Sequence, residues 1–214
     1  MNDEKRGLSS DDAQVKPVSS TEYPNWFAQI AQHNFERFLL PLAGKEWLRF
    51  LQLGCFTGDA SVWMSKNVLT GKHSWLDDVD TWEGAPNEPI QTQMDFDDVY
   101  ATYLAKVEGL PVTHRRSTTT DYLLDFDDAV MRPSYFDFIY VDAHHTSASA
   151  FLDSELSWPL LKADGILAID DYEWEHPDGD LIHAPKLGIH MFLDRHVGEY
   201  EELVRNSQVW IKKR

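Results

Sequence analysis

Three aspartates and two histidines directly follow two short apolar runs of the sequence. Asp142 ends the run at 138–141, with His144 and His145 close behind it, and Asp170 and Asp171 end the run at 166–169. Carboxylates and imidazoles are the side chains that most often hold cations and move protons. This grouping predicts a functional site, provided that the fold brings the two runs together.

The runs at 138–141 and 166–169 read as buried strands, because they are short, continuously apolar and stopped by acids. A helical pattern lies between them, so the two strands would be parallel neighbours. In such sheets ligands bind beyond the carboxyl ends of the strands. The acids and histidines are therefore predicted to line one crevice.

Composition limits the classes of protein to consider. The chain has 214 residues with 43% hydrophobic residues, enough for one substantial core. Acidic residues outnumber basic ones by 36 to 19, giving a net charge of -17 that disfavours nucleic acid as a partner. The single cysteine, Cys55, excludes an internal disulfide. The sequence has no long apolar run and no signal-peptide pattern, so we expect a soluble cytoplasmic protein with no membrane partner.

Strand and helix patterns alternate along most of the chain. Residues 1–20 are polar and predict a flexible tail, whereas 21–214 predict one domain that begins with an amphipathic helix. That helix would pack on the sheet edge or act as a lid. Further strands are predicted at 47–53, 74–80 and 111–116, helices at 59–67, 95–107, 118–130 and 186–196, and a closing hairpin at 200–204 and 208–212. This order predicts an α/β fold with a parallel centre and a mixed edge.

A glycine turn follows the first predicted strand. Gly54 allows a sharp turn, and Gly58 allows close packing of the next helix. Phe56 stands where a dinucleotide fingerprint has its second glycine, which argues against NAD or FAD. Asp80, at the end of the second strand, can accept both hydroxyls of a ribose. Together these residues favour an adenosine cofactor without a pyrophosphate; the alternative is a purely structural turn beside a solvated acid.

Four segments carry a resemblance to a known family. They are LQLGCFTG at 51–58, VDTWEG at 79–84, YFDFIYVDAHH at 135–145 and SWPLLKADGILAIDDYEW at 157–174. With the ending QVWIK, they resemble class I S-adenosylmethionine-dependent methyltransferases, in particular a bacterial group associated with sugars and natural products. The resemblance runs from about residue 47 to the C-terminal hairpin. It implies a Rossmann-like fold with a mostly parallel seven-stranded sheet and a C-terminal antiparallel hairpin.

The same resemblance implies S-adenosylmethionine as the cofactor. In the family, the first turn lines the methionine end, the acid after the second strand holds the ribose, and a residue after the third strand often contacts adenine. The corresponding cofactor-binding residues are Gln52, Gly54, Phe56, Gly58, Asp80, Thr81, Ser117 and Asp142.

Two positions depart from the family pattern. Gln52 replaces the usual acid, so it would hydrogen-bond the methionine ammonium without pairing its charge. Ala143 replaces the usual glycine. Both departures bear on cofactor affinity.

Asp142, Asp170 and Asp171 resemble the divalent-metal ligands of catechol and macrolide-sugar O-methyltransferases. Three adjacent carboxylates repel one another unless one is protonated or a cation joins them, and oxygen ligands suit Mg2+. Such an ion would activate an acceptor hydroxyl. The alternative is that Asp170 and Asp171 cap the following loop while Asp142 only borders the cofactor.

His145 matches the family's recurrent histidine and is the candidate catalytic base, with an N-terminal helix contact as the alternative. Trp82 and Trp174 are candidates for the acceptor wall. The loop at 176–185, flanked by His176 and His183, would either fold over the acceptor or remain an exposed loop.

These observations predict a methyltransferase that acts on a hydroxyl of a small-molecule acceptor, a sugar or natural product, with Mg2+ as a conditional cofactor. The chain could form a homo-oligomer. A non-catalytic S-adenosylmethionine-binding protein and, with less support, an NAD-dependent oxidoreductase are the alternatives.

Overall fold

The computed structural model describes residues 23–85, 91–125 and 134–214. The tail predicted at 1–20 and the end of the helix predicted at 118–130 lie outside these ranges. Within them, the order of strands and helices follows the predicted one.

Seven strands form one sheet. They are β1 (Arg49–Leu53), β2 (Trp75–Asp80), β3 (Val112–Arg116), β4 (Phe136–Val141), β5 (Leu161–Ile169), β6 (Tyr200–Arg205) and β7 (Val209–Lys213). Their spatial order is β3-β2-β1-β4-β5-β7-β6. The first five strands are parallel, whereas β7 runs antiparallel to both β5 and β6. The predicted parallel centre and C-terminal antiparallel hairpin are confirmed.

Strand β5 begins five residues earlier than the apolar run alone predicted. Its first half is polar, and its pairing with β4 shifts register between Phe136 and Phe138, where an irregularity breaks the ladder. The apolar pattern resumes at Ile166 because only the second half of the strand is covered on both faces.

The described residues form six α-helices, of which the first precedes β1 and the others lie between strands. They are α1 (Gln32–Leu39), α2 (Asp59–Asn67), α3 (Phe96–Val107), α4 (Thr119–Asp125), α5 (Ser147–Ser157) and α6 (Lys186–Arg195). Helix α3 begins at an Asp95 cap, whose carboxylate accepts the amides of Asp97 and Asp98. Helix α5 is capped by Thr146, whose side-chain oxygen accepts the backbone amide of Ser149.

The helices cover both faces of the sheet. On one face, Ala150 of α5 and Phe192 of α6 join the buried residues of the central strands. On the other, Phe35 of α1 and Met64 of α2 do so. The central strands are therefore buried on both sides, as their continuous apolar runs predicted.

Helix α1 packs on the sheet face rather than at its edge. The Phe35 ring lies 4.9 Å from Tyr140 on β4 and 5.1 Å from Trp210 on β7. A π-helical turn at Phe27–Ala31 precedes α1. This wider turn changes which side chains face inward, and Ile30, an apolar residue of the predicted stripe, is left 44% exposed.

Strand order reverses at the centre of the sheet, where β1 lies between β2 and β4. A crevice opens at such a point beyond the carboxyl ends of the strands. Among the described residues, no helix combines the length and apolar character needed to span a membrane.

Candidate functional site

A cavity of about 490 Å³ occupies this crevice. This volume lies within the range of roughly 300–1,000 Å³ typical of small-molecule sites. Of the predicted cofactor and catalytic residues, those that line the cavity are Gln52, Gly54, Phe56, Asp80, Thr81, Ser117, Asp142 and His145. Residues from four separate strand ends therefore meet at one place. Gly58, the remaining predicted cofactor residue, supports the turn from behind the cavity wall.

The glycine turn after β1 is fixed by close packing. Gly54 has φ +85°, and a Cβ atom there would lie 1.8 Å from the carbonyl oxygen of Asp142. Gly58 has φ +82°, and its Cβ would lie 2.9 Å from the Tyr103 ring. Both positions require glycine for conformation and for space. Their direct role is to bring β4 and α3 against the turn.

Asp80 organises the turn through its carboxylate. Its Oδ2 accepts the backbone amides of Cys55 at 2.7 Å and Phe56 at 3.0 Å, and its Oδ1 accepts the amide of Trp82 at 2.8 Å. A carboxylate has about four acceptor positions. One position therefore remains, enough for a single ribose hydroxyl rather than the predicted two.

Gln52 is directed into the protein beside the cavity. It is 2% exposed, its Nε2 donates to the Gly54 carbonyl at 2.8 Å, and its Oε1 accepts from Ser61 Oγ at 3.2 Å. Both ends of the amide are bonded within the protein. The side chain therefore stabilises the turn, and any contact with a ligand ammonium would use the second lone pair of Oε1.

The segment before α1 closes one side of the cavity. Pro24, Trp26 and Phe27 belong to its lining. The Trp26 ring lies 4.9 Å from the Phe56 ring, and Tyr23 donates to the Asp98 carboxylate at 2.7 Å. The N-terminal region thus has two roles, because α1 packs on the sheet while the residues before it wall the cavity.

Asp142, His145 and Asp171 form a compact group of potential ligands. One nitrogen or oxygen of each lies within 4.8 Å of the others. His145 Nε2 is 2.8 Å from Asp171 Oδ2 and 3.8 Å from Asp142 Oδ1. Burial raises the pKa of Asp142 to about 6, with the Asp171 carboxylate adding to the rise and the hydrogen bond with His145 opposing it. The site therefore concentrates negative charge, which a proton or a cation would relieve.

Asp170 lies apart from this group, although it was predicted as a metal ligand. Its Oδ2 accepts hydrogen bonds from the Tyr140 hydroxyl and from Gln208 Nε2, the latter at 2.8 Å. Burial raises the pKa of Asp170 well above its usual range, and the Asp142 and Asp171 carboxylates add to the effect. The reason is strand alternation, since successive side chains at the end of β5 point to opposite sides. The structure therefore groups His145, rather than Asp170, with the other two acids.

The two tryptophans predicted near the acceptor have different surroundings. Trp82 is 1% exposed and packs on Tyr103 at 4.6 Å, so it belongs to the core. Its indole nitrogen donates to the Phe56 carbonyl at 2.9 Å. Trp174 is half-buried and lies 5.3 Å from the His145 ring. Of the two, Trp174 is the one that lies beside His145.

Several cavity residues were not assigned from the sequence. They are Pro24, Trp26, Phe27, Thr57, Asp59, Glu83, Thr118 and Thr119. Glu83 could have been inferred from the sequence, because it closely follows Asp80, the acid predicted to bind the ribose. For the N-terminal residues the sequence offered only the alternative of a lid helix, because their contact with Phe56 joins distant parts of the chain.

Solved structures of other proteins share this fold. One similar structure is an O-methyltransferase from Bacillus cereus in complex with SAH. The match covers 92% of this chain and 84% of that protein, at 14% identity and a TM-score of 0.57. A second is a provisionally assigned rRNA methylase from Clostridium thermocellum. The match covers 90% of this chain and 98% of that protein, at 14% identity and a TM-score of 0.59. Among curated proteins, none matches the sequence.

A third structure is larger than this chain. MycE methyltransferase from the mycinamycin biosynthetic pathway, in complex with Mg, SAH and mycinamycin VI, shares 15% identity with a TM-score of 0.58. The match covers 91% of this chain but 51% of MycE. At these identities the three comparisons establish a common Rossmann-like fold.

The fold and the cavity define a class I S-adenosylmethionine-dependent methyltransferase, as the sequence motifs indicated. A family model described as a methyltransferase domain matches residues 51–172, which is more than half of the chain. The chain belongs to this methyltransferase domain family.

Proposed function

We propose that this methyltransferase acts on a hydroxyl group of a small molecule, and that Asp142 and Asp171 would hold a divalent cation such as Mg2+, which would lower the pKa of that hydroxyl. The observation that carries the proposal is the group of Asp142, His145 and Asp171, whose potential ligand atoms lie within 4.8 Å of one another and of which Asp142 and His145 line the cavity. The O-methyltransferase from Bacillus cereus shares the fold, and so does MycE methyltransferase, which is in complex with Mg.

The cavity fits the cofactor in size and in charge. Its wall includes the carboxylates of Asp80, Glu83 and Asp142, which favour a cationic ligand. When bound, S-adenosylmethionine supplies a methyl group on a positively charged sulfur. Asp80 would hold one ribose hydroxyl through its remaining acceptor position. Glu83, which lines the same cavity, would accept the other hydroxyl. Trp26 and Phe56 would exclude water from this end of the cavity.

The acidic group fits a magnesium ion through its oxygens. Mg2+ is usually held by one or two carboxylates, with water and substrate oxygens completing the shell. Asp142 and Asp171 supply that pair, while an imidazole is a less usual ligand for this ion. In this arrangement His145 donates from Nε2 to Asp171 Oδ2 at 2.8 Å, which orients that carboxylate, and its Nδ1 would accept the proton of the acceptor hydroxyl. The carboxylates would stabilise the positive charge that His145 then carries.

The acceptor is proposed to be small and uncharged or cationic. The formal charge of -17 opposes a nucleic-acid backbone, even though one structure with this fold is a provisionally assigned rRNA methylase. Trp174 beside His145 offers an aromatic surface of the kind that packs against sugar rings or flat natural products.

A non-catalytic cofactor-binding protein is the second candidate. It is favoured by Gln52, whose amide is bonded at both ends within the protein and offers no negative charge to a ligand ammonium. Under this alternative the cavity would bind SAH while no acceptor is methylated.

The test combines calorimetry with SAH and a methyl-transfer assay on a panel of sugars, catechols, amines and RNA. We expect transfer to a hydroxylated compound, loss of transfer in EDTA and recovery with Mg2+. Asp171→Asn should lose transfer but keep SAH binding, whereas Glu173→Gln, an exposed neighbour, should keep both. Transfer to amines or RNA alone would overturn the acceptor assignment. Transfer that persists in EDTA and in Asp171→Asn would overturn the cation, and SAH binding without any transfer would favour the non-catalytic candidate.

A further inference from the structure

A second group of potential metal ligands lies outside the cavity lining, in the loop 176–185 between β5 and α6. His176 Nδ1 is 2.7 Å from one carboxylate oxygen of Asp178, and His183 Nδ1 is 2.7 Å from the other. The potential ligand atoms of all three residues lie within 4.8 Å of one another. Two imidazoles thus approach the same carboxylate through the same ring nitrogen.

The loop backbone holds these side chains in place. The Asp178 carboxylate accepts the Asp180 amide at 2.8 Å, and the Asp180 carboxylate accepts the Ile182 amide at 3.1 Å. Gly179 lies between them with φ +73°, a left-handed conformation that glycine adopts without strain. His183 ends the short helical turn Leu181–His183 that follows. The spacing of the two histidines is therefore set by local hydrogen bonds.

Each short nitrogen–oxygen distance needs either a hydrogen on the nitrogen or a cation between the two atoms. Either each imidazole carries a proton on Nδ1, or one cation replaces both protons and binds both nitrogens and the carboxylate. His176 Nδ1 also lies 3.3 Å from the Asp178 amide as an acceptor, which requires a lone pair on that nitrogen. A lone pair facing a carboxylate is unfavourable unless a cation lies between them. A cation between them would satisfy both contacts of His176 Nδ1.

The ligand types indicate which cation would bind. Two imidazole nitrogens and one carboxylate suit Zn2+, Ni2+ or Co2+, whereas Mg2+ prefers oxygen ligands alone. Three protein ligands leave a coordination position for water. The other group, Asp142 with His145 and Asp171, has two carboxylates and one imidazole and suits a harder ion. The described residues therefore include two groups whose ligand types suit different metal ions.

We propose that His176, Asp178 and His183 form a binding site for a divalent transition-metal ion of the Zn2+ type. The ion would fix the loop beside the catalytic group, because Trp174 packs between the two sites. Its ring lies 5.3 Å from His145 and 5.8 Å from His176. This metal site stands on the loop geometry and does not depend on the proposed acceptor.

The test measures metal binding by the full chain after chelator treatment. Zn2+ affinity is determined by competition with a chromophoric chelator, and Co2+ absorption in the visible range reports direct nitrogen ligation. We expect His183→Gln and His176→Gln to weaken Zn2+ binding at least about 100-fold. His190→Gln, which changes an exposed histidine outside the loop, should bind within about twofold of the unsubstituted chain.

A second arm separates the two groups. Asp171→Asn should leave the loop site intact, with the same Co2+ spectrum as the unsubstituted chain. The proposal is overturned if Zn2+ affinity is the same in His183→Gln and the unsubstituted chain, or if Asp171→Asn abolishes binding while His183→Gln does not. Circular dichroism of each variant checks that the fold is retained, and His176→Gln gives an independent reading if His183→Gln fails to fold.

Discussion

Asp78 is a buried acid beneath the proposed cofactor site, and its ionisation should control the stability of the fold. It lies on β2, is 0% exposed and pairs in register with Gln52 of β1. Its Oδ2 accepts a hydrogen bond from the Tyr103 hydroxyl at 2.8 Å. Tyr103 in turn packs on Gly58 and Trp82, so this bond fixes α3 against the glycine turn.

Burial raises the pKa of Asp78 from 3.8 to about 7, with the hydrogen bonds from Ser61 and Tyr103 opposing the change. Between these two values the folded state keeps a proton that the unfolded state has released. Stability therefore falls as pH rises from about 4 and becomes constant above about 7. At about 1.4 kcal/mol per pKa unit, the full loss amounts to about 4 kcal/mol. This is a large fraction of the roughly 5–15 kcal/mol that stabilises a typical domain.

Asp78→Asn should remove this loss. Asparagine cannot ionise, and its carbonyl oxygen can still accept the bond from Tyr103. The variant should match the unsubstituted chain near pH 4 and exceed its free energy of unfolding by up to about 4 kcal/mol at about pH 8. Urea unfolding followed by circular dichroism, at intervals between about pH 4 and about pH 8.5, measures the difference directly. Asp97→Asn, which changes an exposed acid on α3, controls for the loss of one negative charge.

Parallel pH profiles for the unsubstituted chain and Asp78→Asn would refute this reasoning. So would a variant that is less stable than the unsubstituted chain at the alkaline end of the range, because that result would mean that the ionised carboxylate is stabilised in the folded protein.

Three further predictions concern the cofactor end of the cavity. Gly54→Ala should destabilise the fold by at least about 3 kcal/mol in urea unfolding, because its Cβ would lie 1.8 Å from the Asp142 carbonyl oxygen; an unchanged midpoint would contradict this packing. Asp80→Asn should weaken SAH binding at least about tenfold by calorimetry, because a backbone amide of the turn left without an acceptor costs roughly 1–3 kcal/mol. Equal affinity would show that the turn does not need the carboxylate. Trp26→Ala should weaken SAH binding by about three- to tenfold, because the Phe56 ring loses its 4.9 Å partner, and unaltered affinity would exclude the N-terminal wall from the site.

Much of the fold could be predicted because its signals are local. Helix α2 (Asp59–Asn67) has the predicted limits, and strand β2 (Trp75–Asp80) differs by one residue. The turn at Gly54 and the acid at Asp80 were recognised from their residue types, and the structure brings both to one cavity. Apolar periodicity, glycine and a strand-ending acid are properties of neighbouring residues, so a single sequence records them.

Other features depended on contacts between distant residues. The sequence offered Asp170 and Asp171 as equivalent acids, but Tyr140 and Gln208 bind Asp170 in the interior and leave Asp171 beside His145. Trp82 was a candidate for the acceptor wall, but the structure buries it against Tyr103 of α3.

The sequence by itself determined the order of strands and helices along the chain, the glycine turn and the family of the protein. Only the tertiary structure decided that His145 joins Asp142 and Asp171, that Trp26 walls the cavity, and that His176 meets His183. The physical reason is that periodicity arises between neighbours along the chain. The choice among adjacent acids, by contrast, is made by the side chains that pack against them from other strands and helices.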